Sequence, residues 1–170
     1  PYFWYVKGVL QYEKKDYDAA NVALDKVIAM NQGDTPETSL VAEAYAKKGD
    51  IYFFPAQKIV EENSALNIDD PKYNANEAKI KEAYEQAKPF YEKAKELEPD
   101  NKQIWGQMLL RIYWTLNKAE YEALEKEIQD DKEKRNKLRL ELEQLKTALQ
   151  AKFIEQNTAR LNLISAKQKM

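Results

Sequence analysis

One pattern of residues occurs twice before Asn101 in this 170-residue chain, and it leaves few folds open. Trp4, Gly8, Tyr17, Ala20 and Leu24 form one unit. Tyr45, Gly49, Tyr84, Ala87 and Tyr91, closed by Pro99, form a second. Self-similarity of this kind marks a chain built from stacked units, each too small to bury its apolar face alone. The spacing inside the units is helical. Phe3, Trp4, Val6, Val9 and Leu10 lie on a first helix. After the polar turn Glu13-Lys14-Lys15-Asp16, Tyr17, Ala20, Leu24, Val27 and Ile28 recur at intervals of three and four on a second. A large aromatic on one helix needs a small residue opposite if two helices are to approach, and Gly8, Gly49, Ala20 and Ala87 supply it.

Breakers are few. There are four glycines and six prolines, and none follows Gly106, so the last 64 residues carry no strong stop. Asn31-Gln32-Gly33-Asp34-Thr35-Pro36 ends the first helix pair, with Gly33 suited to a helix C-terminus and Pro36 barring continuation. Thr38 or Ser39 is expected to cap the next helix, which carries Val41, Ala44, Tyr45, Ile51 and Tyr52. From Phe53 to Asn76 the pattern weakens: Pro55 interrupts, and Asn67-Ile68-Asp69-Asp70-Pro71 reads as a turn. Asn76 is read as the cap of a helix with Ile80, Ala83, Tyr84, Ala87, Tyr91, Ala94 and Leu97 on one face. Pro89 lies on its opposite face, where it removes a backbone hydrogen bond and should kink the helix. Glu98-Pro99-Asp100-Asn101 stops it. Ile104, Trp105, Met108, Leu109, Ile112 and Tyr113 mark another helix, Asn117 a turn, and Tyr121, Leu124 and Ile128 the start of the last.

Spacing between the repeated residues narrows the pattern further. Ala87 to Pro99 is 12 residues, as is Ala20 to Gln32, and Pro99 to Trp105 is 6. With the run from Glu82 to Asn101, these residues resemble the tetratricopeptide repeat: W-x2-L-G-x2-Y, then A-x3-F, then P. Gly8 to Ala20 is 12 but Gly49 to Ala87 is 38, so about 26 residues are inserted between the helices of the second unit. That split layout is similar to tetratricopeptide proteins of Bacteroidota, many of them exported to the cell envelope. Gln32 replaces the usual closing proline of the first unit, and the third unit lacks the Gly and the second-helix Ala. The resemblance implies an all-α solenoid of antiparallel helix pairs, about 2.5–3 repeats over residues 1–130, with the insertion at about 53–76.

Residues 131–170 match no part of the repeat. Leu138, Leu142, Leu145, Leu149 and Phe153 recur there at intervals of 4, 3, 4 and 4, with Leu161, Leu163 and Ile164 following more loosely after the polar stretch Asp130–Arg135. This reads as an amphipathic helix of about 30 residues; the heptad fails after Leu149, which argues against a long coiled coil. Burying five such side chains is worth about 8–15 kcal/mol gross, so the face needs a cover. Three covers stay open: the last repeat, which the tail would cap, a partner protein, or a second copy. The tail carries a net charge of +5 and the remainder −7, within a total of −2. A basic tail can pair with the acidic body or reach an acidic partner.

Several function classes are disfavoured. Without His or Cys there is no imidazole base, thiol nucleophile, disulfide or thiolate metal site. The paired acids Glu61-Glu62, Asp69-Asp70 and Asp130-Asp131 fit neither a calcium loop nor a glycosidase pair. No phosphate-binding loop occurs, no apolar run approaches a membrane span, and the basic tail interleaves too few aromatics for nucleic acid. No cofactor, metal or catalytic residue is expected. The chain opens at Pro1 without Met and is read as a fragment or a processed chain. The resemblance implies a protein or peptide partner in a groove lined by Tyr2, Tyr5, Val9 and Tyr12 of the first unit, Glu43, Ala46, Asp50 and Phe53 of the second, and Gln103, Leu110 and Tyr113 of the third. Those aromatics would equally pack against a preceding repeat. Tyr5, Val9 and Asp50 stand where related co-chaperones carry a Lys and Asn carboxylate clamp, so that clamp is not expected. Leu138, Leu142, Leu145, Leu149 and Phe153 form the tail's candidate interaction face.

Overall fold

The structure, a computed structural model, describes residues 1–30 and 38–168, the side chains of 162, 163 and 166–168 excepted. Among them are six helices and no strand: α1 (Tyr2–Glu13), α2 (Tyr17–Met30), α3 (Thr38–Ser64), α4 (Pro71–Leu97), α5 (Gly106–Leu116) and α6 (Lys118–Gln168). The fold is all-α, as the repeat implies. The turn read at Asn31–Pro36 lies outside the described residues.

The chain divides into two compact units, Pro1–Glu125 and Lys126–Met170. In the first, α1 packs on α2, α2 on α3, α3 on α4 and α4 on α5, the neighbour order of stacked helix pairs. Leu24, Val27 and Ala44 form a buried cluster, with Trp4, Tyr5, Ile28 and Leu40 against it. Trp4 is only half-buried, and Lys26 Nζ lies 3.9 Å above its ring. Deeper in the stack, Tyr84, Tyr91, Trp105, Leu109 and Ile112 are fully buried. The repeated small residues sit at the close approaches: a Cβ on Gly8 would lie 2.9 Å from the Leu24 side chain.

The turn between α1 and α2 is a Schellman motif. Lys15 N–H donates to Tyr12 O (2.8 Å) and Asp16 N–H to Gln11 O (3.0 Å). Asp16 Oδ1 then accepts from Ala19 N–H at 3.2 Å and caps α2. The motif puts Lys15 at φ 61°, a left-handed conformation that glycine adopts at no steric cost. Lys15→Gly is therefore expected to stabilise the fold by about 1 kcal/mol, read as a rise in the urea midpoint at unchanged m-value.

Two readings between Phe53 and Asn76 are corrected. Pro55 does not interrupt: α3 runs through it to Ser64. Asn76 is not a cap: α4 begins at Pro71, with Asp70 Oδ1 accepting from Lys72 N–H at 2.8 Å and Pro71 in the first turn. Both helices of the second pair run to 27 residues, and contacts between them offset the proline's local cost of about 3 kcal/mol. Phe53 stacks on Tyr84 (centroids 5.4 Å), and Gln57 Nε2 donates to the Tyr84 hydroxyl. Near the tip, Asn76 Nδ2 donates to Asn63 Oδ1 (3.0 Å), and Asn63 Nδ2 to Glu77 (3.1 Å), so two buried amides satisfy each other. Pro89 lies on the exposed face of α4, where the sequence placed it.

In the second unit α6 runs on without interruption, so the tail helix is longer than expected and continuous with the last helix of the repeats. Asp130–Arg135 is an exposed stretch of that helix and no break.

Candidate binding groove

The expected groove residues divide. Tyr5 and Tyr12 of α1 meet Glu43, Lys47 and Asp50 of α3. The Tyr5 hydroxyl bonds to Glu43, and Lys47 Nζ sits 5.0 Å over the Tyr12 ring. Asp50 is buried: its Oδ1 accepts from the Tyr91 hydroxyl and its Oδ2 from Lys47 Nζ, each at 2.7 Å. Ala46 and Phe53 are buried as well, and Val9 is half-buried. Tyr2 is exposed at the start of α1. From the third pair, Gln103 is exposed and Leu110 half-buried, while Tyr113 is buried with its hydroxyl donating to Glu92 Oε1 of α4 at 2.8 Å. Ala46, Asp50, Phe53 and Tyr113 thus belong to the packing between helices more than to an open surface.

The open space lies farther along α3. A groove of about 750 Å³ runs between the α1–α2 turn and the second half of α3. Tyr12, Tyr17, Phe54, Pro55 and Ile59 give it an apolar floor, and Lys15, Lys47 and Lys58 alternate with Glu13 and Glu62 around it. It exists because α3 outruns α1. Of this set, Tyr12 alone was read from the sequence as a groove residue. The signal for the others was present in the helical spacing of Phe54, Lys58, Ile59 and Glu62, and the reading of Pro55 as a break hid it.

Burial dominates the electrostatics. It pushes the Tyr12 hydroxyl up to about 12, helped by the Asp50 charge. Burial and the bond to Glu43 raise Tyr5, and burial with the neighbouring Asp50 charge raises Tyr91. An acid whose folded pKa is raised stabilises the fold fully below its unfolded value, and that stability is lost as pH climbs through the folded one. The protein is therefore expected to lose stability from about pH 10, the ordinary tyrosine value, to about pH 12. Helical circular dichroism and tyrosinate absorbance recorded together check this: the last part of the ionisation, from the buried tyrosines, should appear only as helicity is lost, and complete tyrosine ionisation in a still-folded chain would contradict it.

The repeat positions, the close approaches at Gly8 and Gly49 and the turn at Glu98–Asn101 together describe one kind of helix pair. Residues 75–101 match the tetratricopeptide repeat. No curated protein and no solved structure matches the chain. The matched repeat spans most of α4 and the turn after it, where Trp105 Nε1 donates to Glu98 O at 2.9 Å. Proteins with tetratricopeptide repeats serve as protein-interaction scaffolds and are generally non-catalytic. Among the described residues no helix is long and apolar enough to cross a membrane, and no group of acidic residues is arranged to hold a metal ion.

Proposed function

We propose that the chain is a non-catalytic scaffold that holds a protein or peptide partner along α1 and the long α3. The observation that carries this reading is the groove beside α3, with half-exposed aromatic and aliphatic side chains on its floor and charges of both signs around it. Rigid aromatics give contact area at little entropic cost, and a mixed rim suits a polypeptide better than a uniformly charged ligand. A cell-envelope setting belongs to the same proposal and rests on the split layout of the second repeat.

The test is affinity capture from cells of the source organism with the full chain and with a Phe54→Ser, Ile59→Ser variant. Both positions face the groove and leave the buried core intact, so helicity should be unchanged. A groove ligand should bind the variant at least tenfold more weakly, the usual consequence of losing an interface anchor. Undiminished capture by a folded variant would sink the groove reading. The exposed leucines of α6 favour a second reading, in which the tail joins copies of the chain.

A further inference from the structure

Leu138, Leu142, Leu145 and Leu149 follow one another at 4, 3 and 4 along α6 and are between 51% and 71% exposed, with Phe153, 64% exposed, one turn beyond. An apolar stripe over more than three helical turns is an interface feature. Its spacing makes Leu138 and Leu145 d positions and Leu142 and Leu149 a positions of a short heptad seam. The flanks then carry information. The e positions after each d are Arg139 and Lys146, and the g positions before each a are Glu141 and Ala148.

We infer that this part of α6 pairs, parallel and in register, with the same segment of a second copy of the chain. The inference rests on the self-association reading and adds its occupant, direction and register. In a parallel pair each g position meets the e position five residues on in the other helix. Glu141 then faces Lys146 of the second copy and Ala148 faces Phe153, so each of the two equivalent flanks carries an ionic and an apolar pair, while Lys134, one turn before the first leucine, meets Arg139 at the edge of the stripe. An antiparallel pair with the four leucines fully overlapped sets e against e and g against g. Within the stripe Arg139 would face Lys146, two cations, and Glu141 would face Ala148; the attraction of that arrangement, Lys134 with Glu155, falls outside the leucines, whereas the parallel pair sets Glu141 on Lys146 between Leu142 and Leu145. One helix that carries an acid at g and a base five residues later is complementary to itself, which is the argument for a second copy over an unrelated partner. Within its own helix Lys146 Nζ lies 3.0 Å from Glu143, but both side chains are 62% exposed, and a surface pair of that kind is readily shared.

The chain has no cysteine, so single-cysteine variants of the full chain report direction cleanly. Sedimentation of the unmodified protein should give twice the chain mass, and Leu142→Glu with Leu145→Glu should return the monomer at unchanged helicity. Leu142→Cys and Leu145→Cys, oxidised separately, should each give a covalent dimer. Equivalent positions across a parallel seam fall within the roughly 4.4–6.8 Å between Cα atoms that a disulfide spans. A monomer at every concentration overturns both the pairing and the self-association reading. A dimer that forms disulfides only when the two variants are mixed is antiparallel and overturns the direction alone. A dimer that yields no disulfide, or that survives the double glutamate substitution, places the contact outside this seam and overturns the inference while leaving self-association standing.

Discussion

Trp105→Ala is expected to remove about 3–5 kcal/mol of stability and to lower the midpoint of thermal unfolding by about 10–15 °C. Trp105 has no exposed surface and is the largest fully buried side chain. It stands at the junction where the turn after α4 enters α5, and its indole N–H closes that turn on the Glu98 carbonyl at 2.9 Å. Lys95 and Lys102 lie 5.3 and 5.8 Å from its ring centroid and cover it with their stems. Truncation leaves a cavity and takes from the Glu98 carbonyl one of its two donors, the Asn101 N–H at 3.1 Å remaining. Trp105→Phe separates the two terms: it keeps most of the volume, loses the hydrogen bond, and should cost about 1–2 kcal/mol. Calorimetry of both variants decides the matter. Similar losses for the two would mean that the bond, and not the packing, holds this junction.

The repeat was legible because its signature residues are themselves the packing contacts. Gly8 faces Leu24 and Gly49 faces Tyr91, so the spacing of small and large residues along the chain carries the distance between helices. The stretch from Phe53 to Asn76 was harder to read, since what keeps it helical is non-local. Pro55 looks like a stop until Phe53 and Gln57 are seen against Tyr84, more than a score of residues away. Asn76 looks like a cap until Asn63 is beside it. The resemblance put Tyr5 and Tyr12 on the groove side of α1, and the structure sets both beside α3. The fate of Asp50 did not, because a carboxyl one turn from the surface is drawn inward by the Tyr91 hydroxyl and Lys47. In the tail the leucine spacing was readable, while the join to the preceding helix stayed open between two readings. Asp130–Arg135 reads equally as an exposed helix turn or a hinge; it contains no breaker, and the helix continues through it as the first of the two.

A substitution usually chosen to stabilise helices should do the reverse at Gly49. Glycine to alanine in a helix interior ordinarily gains about 0.5–1 kcal/mol. A Cβ at Gly49, however, would stand 2.8 Å from Cε2 and Cζ of Tyr91. That ring cannot swing aside. It is fully buried, its hydroxyl is tied to Asp50 at 2.7 Å, and it meets Phe53 edge-on with centroids 5.9 Å apart. Relieving the overlap means moving α3 away from α4 or breaking the Asp50 bond, and overpacking of this kind costs about 1–3 kcal/mol. Gly49→Ala is thus expected to destabilise the fold by about 2 kcal/mol. The cause is tested by repeating the substitution in a Tyr91→Leu background, where the overlapping ring atoms are gone. Tyr91→Leu is itself costly, because it leaves Asp50 short of a donor, but a double-mutant cycle subtracts that loss. In the leucine background the sign should reverse, and alanine at 49 should become neutral or mildly stabilising. If the penalty persists there, the close approach of α3 and α4 is limited by backbone and not by the tyrosine, and the glycine serves a contact other than the one with Tyr91.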